Sequence, residues 1–178
     1  AKEGLRVRDV DGDGTLELLV DNTPPGPREA NFDAACWVPA HVTTDIFAWD
    51  GERFTFSGQD FAPPAYRFEA ARDGDMLARQ GRYEEARGRY LQVINDESLD
   101  GWSDNMRDYL LETEFGLDTY AFPITSPPEP LPEERVNLSA YATYRLMVLG
   151  VLNGDLEAAK DQFQSLQRRA DDDTAWHL

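Results

Sequence analysis

The stretch Asp9-Val10-Asp11-Gly12-Asp13-Gly14-Thr15-Leu16-Glu17-Leu18-Leu19-Val20-Asp21 decides how the first part of the chain reads. Carboxylates stand at the first, third, fifth and ninth positions of a loop. A glycine at the sixth allows the sharp turn that gathers the first three, and the Thr15 carbonyl at the seventh adds an oxygen. Calcium takes about six to eight hard oxygen ligands in flexible geometry, whereas magnesium demands strict octahedral geometry and keeps its waters. The expected ligands of a structural Ca2+ are therefore Asp9, Asp11, Asp13, Thr15 through its carbonyl, and Glu17, completed by water. Past the loop the period is two. Leu16, Leu18 and Val20 share one face of a strand, and Glu17, Leu19 and Asp21 share the other.

Outward from this stretch, Leu5 and Val7 indicate a shorter strand upstream. Downstream, Asn22-Thr23-Pro24-Pro25-Gly26-Pro27 reads as a loop. The run to Thr43 has no clear period. Asp45–Trp49 and Arg53–Phe56, rich in aromatic and β-branched residues, flank Asp50-Gly51-Glu52. That pattern predicts a β-hairpin.

An EF-hand needs a bidentate glutamate at loop position twelve, where this chain has Val20, and a helix where this chain has a strand. The segment instead resembles the Asp-x-Asp-x-Asp-Gly-x-x-Glu loop of FG-GAP and VCBS-type repeats, which enters a β-strand. Phe47-Ala48-Trp49-Asp50-Gly51-Glu52-Arg53-Phe54 resembles the hairpin that follows in such proteins. The resemblance covers roughly residues 5–57. A single copy is present, which rules out a full propeller for this stretch.

After Pro63-Pro64 the apolar period becomes helical, predicting helices over 65–80, 82–95, 103–114, 133–152 and 155–169. Between the third and fourth, Phe122–Pro132 carries five prolines, which exclude helix and favour an extended connection. Pro132-Glu133-Glu134 suits a helix first turn. Gly81-Arg82-Tyr83-Glu84-Glu85-Ala86, then Tyr90 and Val93, recurs 73 residues later as Gly154-Asp155-Leu156-Glu157-Ala158-Ala159, then Phe163 and Leu166. The apolar positions line one helix face. The alanine lets a neighbouring helix approach, and the glycine makes the turn between helices.

This repeat resembles the tetratricopeptide repeat, whose second helix carries Gly-x-Tyr-x-x-Ala-x-x-x-Tyr. Gly74 falls at that family's close-packing position in the first copy, and Met147 falls there in the second. Ser98 replaces the terminal proline. The resemblance implies a binding or scaffold role through a concave groove for a protein or peptide. The fold class expected is α+β: a small antiparallel β-unit with a calcium loop over residues 1–61, then a tetratricopeptide-like α-helical hairpin domain over 62–178.

Charge narrows the partners. Lys and Arg number 17 against 34 Asp and Glu, a net −17. A phosphate backbone is repelled by such a surface, which argues against nucleic acid, and anionic membranes are disfavoured for the same reason. An acidic surface also keeps a protein soluble. Cys36 is the single cysteine and reads as a small apolar residue. The two histidines, His41 and His177, do not build a nucleophile pair with it. Trp37, Trp49, Trp102 and Trp176 read as core or interface anchors rather than a glycan platform. Tyr141 and Tyr144 lie on an apolar helix read as core. Asp171-Asp172-Asp173 reads as a solvated tail.

No hydrolase, phosphate-loop, dinucleotide or zinc pattern is present. The expectation is a non-enzymatic binding or assembly module of a bacterial extracytoplasmic protein, at the cell surface, as a lipoprotein or secreted. No signal-peptide pattern and no membrane-spanning run is read within these 178 residues. An opening at Ala1 leads us to expect a processed protein or part of a longer one. Two alternatives stand beside this: the non-catalytic glycan- or peptide-recognition portion of an exported hydrolase, and a cytoplasmic adaptor.

Overall fold

A computed structural model of the chain describes residues 4–22, 41–114, 126–129 and 131–171. The proline-glycine loop after Asn22, Cys36, Trp37, most of the proline-rich connection, His177, Trp176 and the acidic tail after Asp171 lie outside the described residues. The fold is α+β: among the described residues, a four-stranded antiparallel sheet is followed by five helices. The chain divides into two compact units, Ala1–Pro63 and Pro64–Leu178.

In the first unit, strands β1 (Leu5–Arg8), β2 (Glu17–Asn22), β3 (Thr43–Trp49) and β4 (Phe54–Phe61) lie in sequence order in the sheet. Leu19 pairs with Ile46 and Ile46 with Gly58, and this row is buried. The covered face of β2 is therefore the one that Leu19 shares with Glu17. The opposite row, Val7–Leu18–Phe47–Phe56, ends exposed at both edges. Alternation shows which residues share a face, but not which face is covered. A register shift between Ile46 and Phe47 sets Phe56 opposite Phe47, with ring centroids 5.9 Å apart and edge to face. The β3–β4 turn is closed by Asp50, whose carboxylate accepts the Glu52 and Arg53 amides at 2.9 Å. These two bonds hold that carboxyl below its ordinary pKa. Gly51 takes the left-handed conformation there, φ 104°.

The second unit contains α1 (Arg67–Arg79), α2 (Tyr83–Asn95), α3 (Asp104–Thr113), α4 (Pro132–Leu152) and α5 (Leu156–Asp171). Its core gathers Ala70, Ala71 and Leu77 of α1, Ala86, Tyr90 and Val93 of α2, and Ala142, Leu146 and Leu149 of α4. Both hairpin turns close with the same pair of backbone bonds. Gly81 donates to Ala78 and Arg82 to Leu77; Gly154 donates to Val151 and Asp155 to Gly150. Each is a Schellman turn with glycine at positive φ, 76° and 74°.

Gly74 does make a close approach: a Cβ there would lie 2.7 Å from the Tyr90 ring. In the second hairpin that role falls to Gly150, not Met147. A Cβ at Gly150 would lie 3.0 Å from the Ala159 nitrogen. Tyr141 and Tyr144 do not join the core expected for their helix. Both are exposed, because the helical period turns Ala142, Leu146 and Leu149 inward instead.

Arg67 is buried and donates to the carbonyls of Val93, Asp96 (2.8 Å) and Leu99 (3.3 Å). It thereby satisfies the C-terminal end of α2, where cations are favoured. Burial lowers its pKa below the ordinary guanidinium value. Asp100 exchanges backbone hydrogen bonds with the entry to α1, accepting from Arg67 and donating to Ala65. Glu134, at the start of α4, accepts the Trp102 amide at 2.8 Å. Trp102 packs with Tyr66 and Phe68, so it is an anchor as expected.

Candidate metal centre

β1 and β2 pair up to Arg8 and Glu17, so Asp9–Leu16 closes a hairpin. Gly12 and Gly14 both take positive φ, 79° and 88°. These two conformations let the backbone turn its amides toward the acidic side chains. Asp9 accepts from Gly12 at 2.7 Å through one oxygen and from Gly14 at 3.1 Å through the other. Asp11 accepts from Asp13 at 3.1 Å, and Asp13 accepts from Thr15 at 2.6 Å. Glu17, at the first position of β2 and buried, accepts from Val10 at 2.6 Å.

One carboxylate oxygen each from Asp9, Asp11 and Glu17 lies within 4.8 Å of the other two. Two oxygens on opposite sides of a calcium ion are separated by about twice the Ca–O distance, ~4.8 Å. The trio therefore fits inside one coordination sphere. Each ionised oxygen retains a lone pair after accepting an amide, so the hydrogen bonds do not exhaust its donor capacity. Asp13 lies outside the trio and is turned to the Thr15 amide. Among the described residues, no arginine or lysine pairs with these four carboxylates. The donors are all hard oxygens, which fits a Group 2 cation better than a soft metal.

The helical unit holds a polar cluster that no local pattern announces. Asp75 of α1 accepts the phenol of Tyr90 at 2.6 Å and that of Tyr141 at 2.5 Å. Arg145 donates its Nε to the Tyr90 oxygen at 3.1 Å and lies 3.0 Å from Asp75. Burial, then the bond to Asp75, raises both phenols; Tyr141 is pushed up to about 12. The cluster ties α1, α2 and α4 together. Asp75 is 15 residues from Tyr90 and 66 from Tyr141, beyond the reach of any periodicity argument.

No protein-family model matches the chain, and no similar curated protein or solved structure was found.

Proposed function

We propose that the chain is a non-enzymatic binding module whose β-unit is stapled by a structural Ca2+ and whose helical hairpins engage a protein or peptide. The convergence of Asp9, Asp11 and Glu17 carries the calcium part. Three carboxylates in one coordination sphere, one of them buried, repel each other unless a cation offsets their charge. Asp13 and the Thr15 carbonyl are proposed to complete the shell once the ion draws the loop in. In the helical unit the described polar clusters cap and tie helices together. Arg67 is committed to carbonyl caps, and Asp75, Tyr90, Tyr141 and Arg145 to one another. Glycan recognition is the weaker alternative. Trp49, Phe54 and Phe56 are exposed, but Trp49 and Phe54 meet at 64° and Phe47 and Phe56 at 78°, so neither pair presents a flat stacking platform. An extracytoplasmic setting, where calcium is abundant enough for weak sites, suits this reading better than that of a cytoplasmic adaptor.

The test compares thermal unfolding in calcium with unfolding in chelator. Calcium should raise the midpoint, because an ion that binds only the folded loop stabilises by about 2.7 kcal/mol at a hundredfold excess over Kd. Asp9→Ala should abolish the shift, and Asp13→Ala should reduce it less. An unchanged midpoint in the parent chain removes the calcium part of the proposal.

A further inference from the structure

The two hairpin turns share a backbone but differ in chemistry. Gln80 ends α1 at φ −83°, ψ 0°, and Asn153 ends α4 at φ −85°, ψ −1°. Each is followed by a glycine at positive φ. Asn153-Gly154 is the one asparagine–glycine pair in the sequence. Glycine leaves the following backbone nitrogen free of side-chain bulk, and its wide conformational range lets that nitrogen swing onto the asparagine amide. Asn153 is exposed and lines the cleft between α2, α4 and α5, and its side chain makes no hydrogen bond among the described residues. Asn22, by comparison, is followed by threonine and donates its amide to Asp45 at 2.6 Å. In the native turn the Gly154 nitrogen is occupied, donating to the Val151 carbonyl at 3.1 Å.

We infer that Asn153 is a site of spontaneous modification by water, reached through opening of the α4–α5 turn, and that its conversion to an acid loosens α5. The Gly154 nitrogen, released from Val151, bonds to Asn153 Cγ and gives up its proton, and the side-chain amide leaves as ammonia. The cyclic imide then takes up a water. Breaking the new bond to Cγ gives ordinary aspartate. Breaking the bond to the Asn153 carbonyl carbon instead routes the main chain through Cβ and Cγ, which is isoaspartate. Either way a water is consumed, ammonia is released and nothing is oxidised. Gln80 would need a larger ring to do the same through Gly81, a slower closure, so the first turn serves as an internal control. Both products place a negative charge at the C-terminal end of α4, where the helix dipole disfavours it. Asp155 is already there, its carboxylate accepting the Ala158 amide at 3.0 Å as α5 begins. Isoaspartate also lengthens the backbone inside the turn that Asp155 closes by donating to Gly150 at 2.8 Å. That bond and the close approach of Gly150 to Ala159 help seat α5 on α4. The inference depends neither on the ion nor on a partner.

The test incubates the full 178-residue chain at neutral and mildly alkaline pH beside a synthetic peptide of residues 149–157. Peptide mapping by mass spectrometry reads the amide-to-acid mass gain, and chromatography separates aspartate from isoaspartate. Asn153 should convert in the folded chain ahead of the other asparagines, and faster at the higher pH, because attack needs a deprotonated nitrogen. Its rate should be at least tenfold below that of the peptide, since the turn must open first. Urea should bring the rate of the chain up to that of the peptide. Asn153→Gln, which installs the residue of the first turn, should abolish conversion there and keep the melting of the parent. Asn153→Asp carries the charge without the longer backbone, so the isoaspartate fraction of the aged chain should show faster amide hydrogen exchange in α5 than this variant. An intact Asn153 in the folded chain after the peptide has fully converted would overturn the inference. So would conversion as fast as in the peptide, or unchanged exchange in α5 once conversion is complete.

Discussion

The hairpins α1–α2 and α4–α5 make the same turn around a matching glycine, yet they bury different amounts of their second helix. Tyr90 and Val93 are fully buried, whereas their counterparts are half-exposed Phe163 and half-buried Leu166. The local instructions are equivalent: a left-handed glycine, two turn hydrogen bonds and an inward alanine. What differs is the neighbour: within the first hairpin Gly74 of α1 admits the Tyr90 ring, where α4 carries Met147. α2 has α4 on its outer edge, and α5 has no described helix on the corresponding edge. A repeat motif therefore specifies a hairpin and one packed face, while the burial of the other face depends on what is stacked against it.

The largest expected effect separates the two directly. Tyr90→Ala should destabilise the helical unit by about 3–5 kcal/mol, the range for emptying a buried aromatic site. Phe163→Ala should cost less than about 1 kcal/mol, as expected for a half-exposed side chain. Urea unfolding followed by helical circular dichroism gives both numbers, and similar losses would break the comparison.

A smaller effect probes the close approach in the first hairpin. Gly74→Ala would set a methyl 2.7 Å from the Tyr90 ring, which Asp75 and Arg145 hold in place. It should cost about 1–3 kcal/mol through overpacking. Gly88→Ala, in the same hairpin but with nothing within 4 Å of its new methyl, should instead gain about 0.5–1 kcal/mol from helix propensity. A gain at Gly74 in the same urea assay would show that the ring can move aside.

The last prediction concerns pH. Both phenols on Asp75 are held above their unfolded values. Their stabilisation is therefore complete below the ordinary phenol value of about 10 and fades as pH rises through the folded values, about 12 for Tyr141. The tyrosinate absorbance of the chain should show late-titrating phenols, and Asp75→Asn should bring them earlier. An unchanged titration would remove Asp75 as their anchor.

Much of this was legible because it is local. The switch from period two to helical period, the glycine turns and the Asp-Gly hairpin all depend on residues a few positions apart, where backbone sterics and periodicity act. The strand edges were less so. β4 runs on to Phe61, past the expected end at Phe56, because pairing with β3 extends it. The acidic loop was half legible. Spacing brought Asp9, Asp11, Asp13 and Glu17 forward, and the loop conformation gathers Asp9, Asp11 and Glu17 while turning Asp13 to the Thr15 amide. Arg67 and the Asp75 cluster carried no sequence signal, since an arginine capping a helix 26 to 32 residues away looks like any surface arginine until the chain has folded.

By itself, then, the sequence determined the α+β class, the five helices, the duplicated turn and the acidic loop, since each follows from the conformational preferences of neighbouring residues. Tertiary structure alone decided which sheet face is covered, that Gly150 rather than Met147 makes the second close approach, and that Tyr90 is buried where Phe163 is not. Those outcomes depend on which surfaces meet, and a residue's own neighbours in the chain do not encode its neighbours in space.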